Sequence, residues 1–105
     1  MRLSALWERV VKLMRIKRVL EQTGDSRSSL YDKVARGLFP RPVKLGGERA
    51  SAWPDEEIEA ILAARVASVQ DDEIRLLVAR LHHGRRIAYE RLATGECNSV
   101  EGAKL

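Results

Sequence analysis

Apolar residues recur at helical spacing in five stretches of the chain, and between the third and fourth stretches they alternate with polar ones. Leu3, Leu6, Val10 and Leu13, with Trp7 and Val11 widening the stripe, predict a short amphipathic helix over 3–13. From Met14 the pattern tightens. Ile16, Val19, Leu20 and Thr23 fall on one face of a helix of about two turns that stops at Gly24, a residue suited to the left-handed position after a helix end. Ser26 is a good N-cap for the next helix, 26–36, because its hydroxyl can accept a backbone N–H of the first turn. Leu30 and Val34 turn that helix inward, and Arg36 followed by Gly37 ends it.

Leu38 and Phe39 return to the core, while Pro40 and Pro42 exclude helix and favour extended backbone. The run "PVKLGGERASAW" reads as strand, glycine turn, strand over 42–53. Val43 and Leu45 alternate with Lys44, and Ala50, Ala52 and Trp53 follow the Gly46-Gly47 turn, so one hairpin face can be buried. Pro54 opens a further helix, on which Asp55, Glu56, Glu57 and Glu59 read as a solvated first turn matched to the helix dipole. Ile58, Ile61 and Leu62 supply its core face. Ile74, Leu77, Val78, Leu81, Ala88 and Leu92 then keep nearly heptad spacing over 71–93. Arg85 interrupts that stripe, and Gly84 weakens the helix by roughly 1 kcal/mol relative to alanine. Such a helix either packs back on the core or pairs with a second copy.

The order helix, turn, helix, hairpin, helix defines the expected fold class: mainly α with a small β-hairpin, a winged helix-turn-helix with an additional C-terminal helix. The expected divisions are an amphipathic extension over 1–13, the winged domain over 14–68, the added helix over 71–93 and a mobile tail over 94–105. At 105 residues and 45% hydrophobic composition, the chain can bury one modest core.

Composition narrows the function. No apolar run approaches the roughly 20 residues that cross a bilayer, and the lone Cys97 can form no internal disulfide, so a cytoplasmic, reducing location is expected. His82 and His83 are adjacent and diverge by about 100° on a helix, which argues against a shared metal; no cofactor is expected. Neither an acid–base pair nor a phosphate-cradling loop is present, which argues against an enzyme. The net charge of +4 is unevenly spread. Residues 1–53 hold twelve Lys/Arg against five Asp/Glu, and residues 54–105 hold seven against ten. A polyanion is the natural partner of the first half, because neutralising phosphates releases condensed counterions.

With Leu30 and Val34 inward, a 100° step puts Ser28, Asp32, Ala35 and Arg36 on the outer face of helix 26–36. Ser29 and Tyr31 sit on its flanks. Small hydroxyls allow close approach and can bond phosphates or base edges, the Tyr31 hydroxyl can reach a phosphate, and Asp32 can accept from cytosine N4. Arg27 and Lys33 can stretch to phosphates. The hairpin adds Arg41, Lys44 and Arg49 around a glycine tip that fits a narrow minor groove or a phosphate without side-chain clash. Ser26 reads as a cap rather than a contact, and Tyr31 reads equally as half-buried packing. Phe39, Val43, Leu45 and Trp53 read as core.

The stretch "TGDSRSSLYDKVARGLFPRPVKLGGERASAW" also resembles the AlpA family of phage and prophage regulators, a MerR-like, excisionase-related group. Gly24, Ser26, Tyr31, Gly37, Phe39, Pro40, Pro42, Gly46 and Trp53 fall in register with it. Three positions depart from the pattern: Asp25 where an apolar residue is usual, Asp32 where a basic or neutral one is common, and Ile61 in place of a frequent second tryptophan. The resemblance implies a site-specific binder of double-stranded DNA, acting at promoters or in integrase-mediated excision; the small footprint of one such domain adds the expectation of a dimer or of cooperative copies. A reading of another class makes 71–93 the working part of a protein-interaction module.

Overall fold

The computed structural model describes residues 12–46 and 50–94. Expectations for residues 1–11, for Gly47 and Arg49 at the hairpin tip, and for the tail beyond Thr94 lie outside the described residues. The elements are β1 (Leu13–Arg15), α1 (Ile16–Thr23), α2 (Arg27–Ala35), β2 (Val43–Lys44), β3 (Ser51–Pro54), α3 (Asp55–Val66) and α4 (Asp71–Ala93).

The first two helices end and begin as their sequences require. Gly24 takes φ 77°, and its N–H reaches the Leu20 carbonyl. Ser26 then accepts the Ser29 N–H at 3.2 Å, which satisfies an amide that the first turn leaves without a helical partner. Three residues therefore separate two helices, the geometry of a helix-turn-helix. α2 closes with paired bonds, Gly37 N–H to Val34 O and Leu38 N–H to Lys33 O, with Gly37 left-handed at φ 77°. The end of α3 repeats that motif, except that Ser68 occupies the left-handed position at φ 60°.

The hairpin belongs to a three-stranded antiparallel sheet in the order β1-β3-β2. Met14 faces Trp53 in the pairing of β1 with β3, and Val43 faces Ala52 in that of β2 with β3. Leu13 and Met14 are thus strand, where helical periodicity placed Leu13 in a helix and Met14 at the head of the next. A strand of three residues is too short to show a period of its own, and its stability comes from β3. The central position of β3 explains why Ser51, Ala52 and Trp53 are all buried rather than alternating. Leu45 departs from expectation too. It is 43% exposed, because β2 is an edge strand that ends at Lys44, although the Leu45 N–H still bonds the Ala50 carbonyl.

One core joins every helix. Val19, Leu30, Leu38, Phe39, Trp53, Ile58, Ile61, Ile74 and Val78 form a single buried cluster. Trp53 lies at its centre, fully buried and edge-on to Phe39 at 5.9 Å between ring centroids. Its indole N–H donates to the Pro40 carbonyl at 2.8 Å. Because α4 contributes Ile74 and Val78, the added helix packs back on the same core.

Candidate nucleic-acid interface

α2 carries its inward residue deep and its polar residues out. Leu30 is fully buried and Val34 is half-buried against the core, whereas Arg27, Ser28, Asp32, Ala35 and Arg36 are exposed, with Ser29 at intermediate depth. Arg36 and Asp32 form an i, i+4 pair at 3.3 Å with both side chains about 60% exposed. A pair so open contributes little to stability, and a competing phosphate or base can separate it. Lys33 differs. Its ammonium donates to both carboxylate oxygens of Asp25, at 3.0 and 3.1 Å, and Asp25 is mostly covered. That contact accounts for an aspartate in the turn: it ties the entry of α2 to the helix's last turn and occupies Lys33. Tyr31 is half-buried, its ring tilted 52° against Trp53 at 6.4 Å.

On the hairpin, Lys44 is exposed and its ammonium donates to the Ser51 hydroxyl at 3.1 Å. Arg41 is exposed as a residue, yet both its backbone groups are taken by α4. Its N–H donates to His82 Nε2 at 3.0 Å, and its carbonyl accepts from Arg85 at 2.7 Å. About two turns nearer the start of α4, Arg75 donates to the Arg36 carbonyl at 3.0 Å. Together with the indole bond at Pro40, the segment that connects α2 to the hairpin is held at four backbone groups.

Arg85 explains a feature that periodicity alone treats as a defect. Its guanidinium forms a forked pair with Glu57, Nε to Oε2 at 2.8 Å and Nη2 to Oε1 at 2.6 Å, and the Glu57 residue is only 5% exposed. Glu57 is therefore not part of a solvated first turn as expected. The acidic run contains one inward carboxylate whose partner lies 28 residues away. His82 sits beside this pair. Desolvation, then the charges of Arg41 and Arg85, lower its pKa below the ordinary 6.5 against an opposing effect of Glu57, so it stays neutral and accepts the Arg41 N–H.

Sequence reasoning missed a further set of cations. Lys12, Arg15, Lys17 and Arg18 are all exposed around β1 and α1, and the excess of positive charge in the first half was their only signal. Among the described residues, no cluster of three His, Cys, Asp or Glu side chains could hold a metal ion. No described helix is long and apolar enough to cross a membrane.

Comparison with known proteins places this arrangement. An uncharacterised protein, ORF88, of Enterobacteria phage P4 is 38% identical over 56 residues, which are 53% of this chain and 62% of that protein. The family model for the prophage CP4-57 regulatory protein (AlpA) matches residues 12–66, from the lead-in to β1 to the last residue of α3. That match takes in both helices of the helix-turn-helix and the whole sheet, and the chain belongs to the AlpA family.

Proposed function

We propose that this protein is a phage-type regulator that binds double-stranded DNA, with α2 in the major groove and the β2–β3 hairpin along the backbone or in the minor groove. One observation carries the reading: α2 is anchored by a fully buried Leu30 while Arg27, Ser28, Asp32 and Arg36 face solvent, and exposed Lys17 and Arg18 stand on the preceding helix. In a helix-turn-helix the first helix crosses the DNA backbone and the second reads base edges, so cations on the first and small polar residues on the second suit those tasks. Lys44 and Arg41 extend the basic surface to the hairpin. Family membership supports a regulatory role. Arg27, Arg36, Arg41 and Lys44 serve as phosphate contacts in this reading, and Ser28, Ser29 and Asp32 as base or close-backbone contacts. Tyr31 and Lys33 serve mainly to position α2, given the Trp53 and Asp25 contacts.

One domain of this size covers a short site, so binding as a dimer or as adjacent copies is part of the proposal, whether at a promoter or beside an integrase during excision. A separate interaction module built from α4 has less support, because that helix shares the core of the DNA-binding unit.

The test is selection of duplexes from a random pool, followed by salt titration on the enriched sequence. An enriched motif with a negative log–log salt slope is expected. Arg27→Ala or Lys44→Ala should weaken binding to all sequences and reduce that slope by about one. Absence of a motif together with absence of a salt slope overturns the reading.

A further inference from the structure

An arginine stands between two prolines at 40–42, where the chain passes from α2 to the hairpin. Pro40 fixes its own φ, and Pro42 biases Arg41 toward extended backbone. Local sequence therefore narrows the conformation without setting it. Bonds from distant residues do the rest. The Pro40 carbonyl accepts the Trp53 indole N–H at 2.8 Å, the Arg41 N–H donates to His82 Nε2 at 3.0 Å, and the Arg41 carbonyl accepts from Arg85 Nη2 at 2.7 Å. Pro42 has no N–H to bond. Every polar group of the two peptide units that flank the Arg41 Cα is thus engaged, and those units set the direction of its Cα–Cβ bond. Pro40 is buried beside it, whereas Arg41 is exposed.

The clamp is itself fixed. Arg85 is held by its fork with Glu57, and His82, being neutral, keeps a lone pair for the Arg41 N–H. Lys33 is engaged by Asp25, Arg36 by Asp32 and Lys44 by Ser51, but among the described residues nothing bonds the Arg41 guanidinium. An exposed cation on a backbone anchored at three groups is organised for a contact outside the fold, since a side chain already aimed loses less freedom when it binds.

We propose, on the basis of the DNA-binding reading, that His82 and Arg85 are positioning residues, which aim Arg41 at a DNA phosphate beside the hairpin. Neither touches DNA; each acts through Arg41. Both lie beyond residues 12–66, which the family model matches, so α4 sets the affinity of a site that it does not itself form.

The duplex enriched from the random pool serves as probe, at one salt concentration. His82→Leu keeps the bulk and removes the acceptor. It should weaken binding about 5- to 30-fold, the factor that corresponds to ordering the backbone of one residue, and by no more than Arg41→Ala does. His82→Gln still offers an acceptor and should bind as the natural protein does. In the Arg41→Ala background His82→Leu should have no further effect, whereas with Arg27→Ala, in the first turn of α2, it should keep its full effect. Arg85→Met alone threatens the fold, so it is joined to Glu57→Leu, which removes the buried charges together. That double variant should keep a Tm close to that of the natural protein and still lose affinity in the same range, again only where Arg41 is present. Losses that add to that of Arg41→Ala, or undiminished affinity in His82→Leu and in the double variant, overturn the inference while the DNA reading stands. Failure to enrich any duplex overturns both.

Discussion

Replacing Arg85 by methionine should be among the most destabilising single changes outside the apolar core, although the residue lies on a helix that the family match does not include. The Glu57 carboxylate is 7% exposed and both of its oxygens accept from Arg85. Methionine keeps most of the aliphatic length and supplies no donor, so a carboxylate remains in a place that water hardly reaches. Breaking a buried pair by removing one partner costs about 3–5 kcal/mol. The Arg85 side chain is itself 24% exposed, which lets some water follow the deletion, so the lower end, about 3 kcal/mol, is the working figure. For a domain of this size that corresponds to a fall in Tm on the order of 15 °C.

Urea unfolding of four proteins separates the pair from its surroundings. Glu57→Leu leaves a guanidinium that can still bond the Arg41 carbonyl and reach solvent, so it should cost about 1 kcal/mol. Joining Glu57→Leu to Arg85→Met removes both charges, and the double variant should lie within about 1 kcal/mol of the natural protein. The cycle then returns a coupling of about 3–5 kcal/mol. A cost below about 1 kcal/mol for Arg85→Met, or additive single changes, would refute the argument by showing that the pair behaves like an ordinary surface contact.

Two further outcomes follow from single positions. His82 is neutral in the fold with a depressed pKa, so the unfolded chain binds a proton more readily; its contribution to stability is present above 6.5 and is lost as pH falls below that value toward the folded pKa. Gln at this position can still accept the Arg41 N–H without titrating, so the stability of the natural protein should fall relative to His82→Gln between pH 7 and pH 5; parallel curves would remove His82 from the account. Ser68→Gly, at the φ 60° position after α3, should raise stability by up to about 1 kcal/mol in thermal unfolding, and a loss of stability would show that the serine side chain makes a contact worth more than the strain it bears.

Much of the fold was legible because its signals are local. Gly24, Ser26 and Gly37 mark helix ends through conformations and bonds that concern only their near neighbours, and each stands where the sequence put it. Trp53 was legible as the central plug, since few other large apolar residues compete for that place. Signals that depend on distant partners were not legible. Leu13–Arg15 becomes a strand only because β3 has an open edge beside it, and three residues carry no alternation to announce it. Glu57 looked like its neighbours Asp55 and Glu56 because the reason for its burial, Arg85, is 28 residues on. Of the candidate site residues, Ser28, Asp32 and Arg36 needed only helix phase to be placed outward. Lys33 and Tyr31 required knowledge of Asp25 and Trp53 as spatial neighbours.

The placement of α4 bears on how the rest of the molecule works. The family match ends at Val66, yet Arg75, His82 and Arg85 all reach back to backbone groups between α2 and β2. That segment contains two prolines and a left-handed glycine, and it sets the angle between α2 and the hairpin. Left to solvent, its backbone N–H and carbonyl groups would be satisfied by water in many geometries. Bonded to three side chains on one rigid helix, they are satisfied in one. Two of the bonds come from guanidinium groups, whose charge strengthens a bond to a carbonyl, and the Glu57 carboxylate fixes the orientation of Arg85. The added helix thus converts a flexible connection into a fixed one. On the proposed reading, in which α2 and the hairpin meet one DNA surface together, they then do so without first losing the entropy of a loose linker.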